Sequence, residues 1–228
     1  MDDVDILWQN QGKKALLAVF AKQPLPGQVK TRLCPPLSMA EAAAVYEQSL
    51  TEIVSRIESL RHRFDLAICY SGARDWFAET FPGVQLVAQQ GADLGQRMEH
   101  ALGGFFAAGY ERAVLIGSDT PDLPLSLLEQ TLELLDEVEV VYGPARDGGY
   151  YLIGESHHYP QLFSEIPWST AVVLQESLKR AKAVGIFTAR LPVLEDLDDL
   201  AALRSLLRRS PASRTALYLQ RELSRHFG

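Results

Sequence analysis

Long hydrophobic runs are missing from this chain. The longest apolar stretches, such as Ala15-Leu16-Leu17-Ala18-Val19-Phe20-Ala21, fall far short of the roughly 20 residues that span a bilayer. Cysteine is scarce: Cys34 and Cys69 stand far apart in 228 residues, form no zinc pattern and read as reduced thiols. Positive charge is in deficit, with 22 Lys and Arg against 29 Asp and Glu and a net charge of −7. A nucleic-acid binder wants the opposite sign. The familiar catalytic signatures are absent as well. There is no Gly-x-Ser-x-Gly elbow, no His-Glu-x-x-His, and no Gly-x-Gly-x-x-Gly after the first strand, which argues against hydrolases, zinc proteases and dehydrogenases. The opening Met1-Asp2-Asp3-Val4-Asp5 is acidic where a signal peptide needs positive charge. These absences lead to the expectation of a cytoplasmic protein that binds neither nucleic acid nor membrane.

What is present is ordinary globular composition, 47% hydrophobic and 22% charged, with no internal repeat. Residues 1–14 are polar and aperiodic, a loose arm that only Trp8 could tack down, and 15–228 reads as a single α/β domain. Ala15–Ala21 has the unbroken apolar pattern of a strand buried on both faces. Ser38 with Glu41 three residues on makes a capping box, followed by helical spacing to Leu60. Further strands are expected at Phe64–Tyr70, Val84–Ala88, Arg112–Gly117, Glu139–Tyr142, Tyr150–Gly154 and Gly185–Leu191. Helices are expected at Asp93–Ala108, Leu125–Leu135, Ala171–Ala183, and from Asp198 and Pro211. Strands alternating with helices predict a largely parallel sheet covered on both faces, a three-layer α/β/α sandwich. Ligands of such sheets sit beyond the carboxyl ends of the strands.

The unusual residues cluster at those ends. The loop after the first strand, Ala21-Lys22-Gln23-Pro24-Leu25-Pro26-Gly27-Gln28-Val29-Lys30-Thr31-Arg32-Leu33, sets three cations in an acidic chain, suited to phosphate binding. Gly27 would let the backbone approach the phosphates. It is not a Walker A loop, since the upstream glycine spacing is absent. In Gln89-Gln90-Gly91-Ala92-Asp93-Leu94-Gly95-Gln96-Arg97, glycines flank a helix start. Its free N–H groups could meet a base or phosphate, or Asp93 could simply cap the helix. In Ile116-Gly117-Ser118-Asp119-Thr120-Pro121-Asp122, a buried strand runs straight into a carboxylate, which suits a hard-metal ligand; Asp122 is the weaker candidate.

Asp147-Gly148-Gly149-Tyr150, preceded by Arg146, reads as a hairpin turn or as part of a sugar-like acceptor site. Trp168, ahead of Ser169 and Thr170, is either core or a stacking platform. In Glu195-Asp196-Leu197-Asp198-Asp199, four acids precede a helix. Most such runs complement the helix dipole; a metal carboxylate is the functional alternative.

Taken in order, Phe20 to Leu33, Gly117-Ser118-Asp119-Thr120-Pro121, Asp147-Gly148-Gly149-Tyr150, Trp168-Ser169-Thr170 and Asp196-Leu197-Asp198 resemble a bacterial family of GT-A-like glycosyltransferases, of the arsenosugar-biosynthesis type. More distantly, the chain looks like guanylyltransferases that activate molybdopterin or phospholactate. The resemblance implies the Rossmann-like nucleotide-diphospho-sugar transferase fold. It also implies that Lys22, Gly27, Lys30, Thr31 and Arg32 hold nucleotide phosphates and that Gly91, Gly95 and Arg97 lie near the base. Asp119 would carry Mg²⁺ or Mn²⁺ together with Asp198 and, in reserve, Asp196. Asp147, Gly148, Gly149, Tyr150, Trp168, Ser169 and Thr170 would frame a small-molecule acceptor, with Asp147 as base or acceptor-orienting group. Asp119-Thr120-Pro121 departs from the usual Asp-x-Asp, and Asp199 stands where threonine is expected. Three functions follow as expectations: a metal-dependent transferase using a nucleotide sugar, a nucleotidyltransferase releasing pyrophosphate, or a nucleotide-binding protein without turnover.

Overall fold

Both faces of the strand β1, Ala15–Lys22, are buried. Leu17, Val19 and Ala21 enter one apolar core, Leu16 and Ala18 the other, and none of the five is more than 1% exposed. This is why the run is continuously apolar rather than alternating. The computed structural model describes residues 14–227, so the expected arm, Lys14 apart, lies outside the described residues, and Trp8 with it. Lys14 joins the sheet edge, its carbonyl accepting from the N–H groups of Glu111 and Arg112 at 2.7 and 3.1 Å.

The remaining strands are β2 (Asp65–Ser71), β3 (Gln85–Ala88), β4 (Arg112–Gly117), β5 (Val140–Pro144), β6 (Tyr150–Glu155) and β7 (Thr188–Arg190). They form one sheet in the order β3-β2-β1-β4-β6-β5-β7. β1 pairs in parallel with β2 (Lys22 opposite Ser71) and with β4 (Phe20 opposite Gly117). β6 runs antiparallel to both neighbours, because the 145–149 turn folds β5 and β6 into a hairpin, and β7 returns to parallel. The chain builds outward from β1 to β3, then crosses back to lay β4 on β1's other side. The reversal leaves a crevice at the carboxyl ends of β1 and β4.

Helices α1 (Met39–Ile57), α2 (Arg74–Thr80) and α4 (Leu125–Leu134) cover one face of the sheet. Helices α3 (Leu94–Ala107) and α5 (Val173–Ala183) cover the other. The three layers expected from the alternation are therefore present. Helices α6 (Leu200–Arg209) and α7 (Arg214–Glu222) add a further cluster on the outer side of α1, where Ala42 and Val45 meet Leu203, Leu206 and Leu219. The same cluster takes in Leu33 and Leu37, just beyond the basic loop.

Three elements differ from expectation. Helix α2 was not expected; its Ala73 N-cap provides no side-chain bond, and it is held by Phe77, fully buried against Tyr70 and Trp76. β7 spans three residues instead of seven, because only Thr188–Arg190 pair with β5. The last helix begins at Arg214 under a Ser213 cap, not at Pro211. Among the described residues, no helix is long and apolar enough to cross a membrane.

Candidate functional site

Parallel strands bring their exits to one edge of the sheet. The loops after β1, β3, β4, β5 and β7 all leave there, and β6 starts there, so all five sequence constellations share that edge. The crevice between β1 and β4 holds the densest charge.

Lys30 stands at its centre. Its backbone has φ +50°, uncommon outside glycine, and its side chain is only 5% exposed. The ammonium lies 2.7 Å from Asp119 Oδ1 and 2.9 Å from Asp198 Oδ1. Burial by itself would lower its pKa, but the charges of Asp119 and Asp198 outweigh it and hold the ammonium above its ordinary range. Arg32 Nη1 reaches the second oxygen of Asp198 at 3.3 Å while the rest of the side chain stays exposed. The segments carrying the aspartates are joined by backbone as well, with Leu197 N–H donating to the Asp119 carbonyl at 2.9 Å. Asp196, beside the pair, accepts a 2.6 Å bond from the Thr120 hydroxyl. Burial pushes its carboxyl up to about 6 against that bond, with further repulsion from Asp119 and Asp147.

The acidic run thus divides its labour. Asp198 faces Lys30 and Asp196 faces Thr120. Asp199 caps α6 by accepting from Ala202 N–H at 2.8 Å, a role that aspartate and threonine share. Glu195 joins Arg146 and Arg209 at 2.9 and 2.6 Å. Asp122, the weaker candidate of its loop, is bound by Arg209 and Ser210 and so has a structural partner.

On the other flank, Gly91 has φ +136°, and its carbonyl accepts from Arg97 Nε at 3.0 Å. Asp93 caps α3 through Gln96 N–H, so the cap reading of this turn holds beside any ligand role. Gly95 meets Trp168: a Cβ on Gly95 would lie 2.1 Å from the indole nitrogen. Trp168 is stacked near Phe163 and set edge-on to Tyr150, each with ring centroids 6.4 Å apart. The expected base side and acceptor side are therefore in direct contact through this pair. Asp147 is exposed, and its Oδ1 accepts from Gly149 N–H at 2.8 Å, an Asx turn that fits the hairpin reading. Gly148, at φ +91°, packs under the Ala171 carbonyl, where a Cβ would come within 1.9 Å. Ser169 also has positive φ, +63°, and Thr170 bonds back to the Pro167 carbonyl. Gly27 needs its φ of +78° for the turn, with open space around it; Lys22 and Thr31 are exposed on the same loop.

Sequence reasoning missed the supports. Tyr46 and Ser49 of α1 hold the start of the Asp119 loop. Tyr46 Oη lies 2.9 Å from Ser118 Oγ and accepts from Lys22 N–H, while Ser49 donates to the Ser118 carbonyl at 2.7 Å. Burial, and then the charge of Asp119, push the Tyr46 phenol up to about 12. The one sequence signal was a serine at 49 inside an otherwise apolar helical stripe. Gln89 likewise ties β1 to β2 by donating to the carbonyls of Ala21 and Cys69.

Among the described residues, no three His, Cys, Asp or Glu side chains are grouped so as to hold a metal ion. Asp119 and Asp198 face each other across Lys30, and Asp196, close enough to feel Asp119 and Lys30, is bonded to Thr120. The donor set still fits a hard cation. It consists of carboxylate oxygens, and the partner of the buried Asp119 Oδ1 is itself a cation, the Lys30 ammonium at 2.7 Å. A nucleotide-bound Mg²⁺ needs only one or two protein carboxylates.

A protein-family model described as "Uncharacterized protein conserved in bacteria (DUF2064)" matches residues 57–170. A solved structure described as a "putative nucleotide-diphospho-sugar transferase", from Desulfovibrio desulfuricans G20, is 34% identical with TM-score 0.86. That match covers 94% of this chain and 97% of the other. At 15% identity, two further structures share the fold. One is CMP:2-keto-3-deoxy-manno-octonic acid synthetase complexed with CTP (TM-score 0.52, 91% of this chain, 99% of that chain). The other is Rv0371c from Mycobacterium tuberculosis H37Rv in complex with manganese (TM-score 0.51, 86% and 100%). No curated protein matches the chain.

Proposed function

The chain belongs to the DUF2064 family, and we propose that it is a cytoplasmic, Mg²⁺- or Mn²⁺-dependent transferase with a nucleotide-activated sugar as donor and a small molecule as acceptor. The observation that carries this reading is the meeting of Lys30, Asp119 and Asp198 at the sheet's switch point. The likeness to the Desulfovibrio protein supports it.

Asp119 and Asp198 would hold the cation, and Lys22, Lys30 and Arg32 the donor phosphates, with Gly27 and Thr31 shaping their loop. When bound, the cation supplies Lewis-acid stabilisation of the charge that builds on the leaving diphosphate. Lys30 and Arg32 spread that charge further, so no covalent protein nucleophile is needed. Gly91, Gly95 and Arg97 would border the base. Asp147 and Tyr150, with Trp168 to Thr170, would orient the acceptor; an exposed Asp147 carboxylate can take its proton. The narrower arsenosugar-biosynthesis type falls within this reading and would be recognised by its acceptor.

A second reading is nucleotidyl transfer, favoured by the fold shared with a synthetase that binds CTP. Product identity separates the two. With Mn²⁺, nucleotide sugars should yield nucleoside diphosphate, and nucleoside triphosphates should yield no pyrophosphate. Pyrophosphate release with a phosphorylated acceptor would replace the first reading by the second. A thermal-shift screen of both nucleotide classes provides the binding check, since a ligand at 100 times its Kd adds about 2.7 kcal/mol. No shift with any nucleotide would overturn both readings.

A further inference from the structure

A divalent cation and the Lys30 ammonium would compete for the same oxygens. Lys30 Nζ contacts Asp119 Oδ1 and Asp198 Oδ1 at 2.7 and 2.9 Å, well inside ion-pair distance of both. The two carboxylates come from segments almost eighty residues apart, yet this one side chain bridges them. We propose that Lys30 is a built-in stand-in for the cation, closing the carboxylate pair in the nucleotide-free protein and leaving it when a diphosphate arrives. The proposal rests on the metal-dependent reading above and adds a competition to it: a cation alone displaces Lys30 only near saturation, and at lower concentration once phosphates draw the ammonium away.

Three further observations support it. A lysine can leave and return, since its flexible four-carbon stem carries a compact charge that can swing without unfolding its loop. The 22–32 loop that carries it is largely exposed on either side of the buried Val29, and the partly exposed Arg32 beside it gives arriving phosphates a first contact. The exchange is also balanced in charge. Lys30 and Arg32 together match the charges of Asp119 and Asp198, so a divalent cation gains the pair as the ammonium leaves it. The diphosphate that draws Lys30 away then offers it an equivalent anionic partner.

The test uses Mn²⁺ alone as probe, followed by titration calorimetry. Lys30→Met, which keeps the stem and removes the charge, should bind Mn²⁺ at least tenfold tighter than wild type. Its affinity should also gain less than the wild type's from added pyrophosphate. Affinity equal to or weaker than wild type in a folded Lys30→Met overturns the proposal. The second measurement needs no variant: acetylation of Lys30 by acetic anhydride, read by peptide mass spectrometry. It should be slow in the free protein and several-fold faster at saturating Mn²⁺. An unchanged rate at saturation would also refute the exchange. Retention of wild-type Mn²⁺ affinity by Asp119→Asn would instead sink the underlying metal reading, whatever Lys30 does.

Discussion

A methyl group at position 95 is the smallest change that tests how the rim of the crevice is held. The indole of Trp168 fills the space a Cβ would need and is itself fixed between Phe163 and Tyr150. Gly95→Ala should cost a net of about 1–2 kcal/mol, the strain of overpacking offset by up to about 1 kcal/mol of helix preference. A chemical melt measures it, with Trp fluorescence reporting the displaced ring. An unchanged melt would mean that the ring swings freely and is no fixed platform. At this scale the sequence was partly legible. Charge and glycine content marked Lys30, Asp119, Gly91 and Gly148 as unusual. That Lys30 points inward is a matter of its φ of +50° and of partners far along the chain, which no local pattern encodes.

At the scale of elements, local signals located most boundaries because capping chemistry is local. Ser38 and Glu41 form the box that was expected. Glu41 N–H donates to Ser38 Oγ, and the Glu41 carboxylate accepts from Ser38 N–H at 2.7 Å. The carboxylate also takes Arg225 and His226, tying the start of α1 to the chain's last turn. Bonds from Ser38, backbone first, hold the Glu41 carboxyl down from 4.5 to about 2. A depressed folded pKa means stability that is present above pH 4.5 and lost as pH falls toward 2. Glu41→Ala should therefore cost about 1 kcal/mol at neutral pH. The gap to wild type should close between about pH 4.5 and 2 in denaturant melts. A gap independent of pH would assign the loss to packing alone. Helix α2 escaped prediction for the converse reason: it has no cap, and tertiary burial of Phe77 holds it.

For the whole molecule, the third apolar cluster links the carboxyl-terminal helices to the basic loop. Leu206 and Leu219 pack with Leu33, and α7 is locked to α1 by Glu52, which accepts from Arg214 N–H, Thr215 N–H and the Thr215 hydroxyl. Leu206→Ala should cost about 2–5 kcal/mol, like Leu102→Ala in the core on the opposite side of the sheet. Only Leu206→Ala should also weaken pyrophosphate binding in the presence of Mn²⁺, by several-fold below the melt, because only it loosens the loop bearing Lys30. Equal effects from both would make the helices a mere cover. The amino-acid sequence alone determined the layers, the strand and helix periods and the hairpin, because burial pattern, capping and turn chemistry act over a few residues. Tertiary structure decided that Asp119 and Asp198 share one lysine while Asp196 and Asp199 serve other partners. It also decided that Tyr46 and Ser49 support the Asp119 loop and that Trp168 rests on Gly95. Such choices depend on which distant segments the sheet order brings within about 3 Å, the reach of a hydrogen bond, and that order is set by the packing of the whole chain.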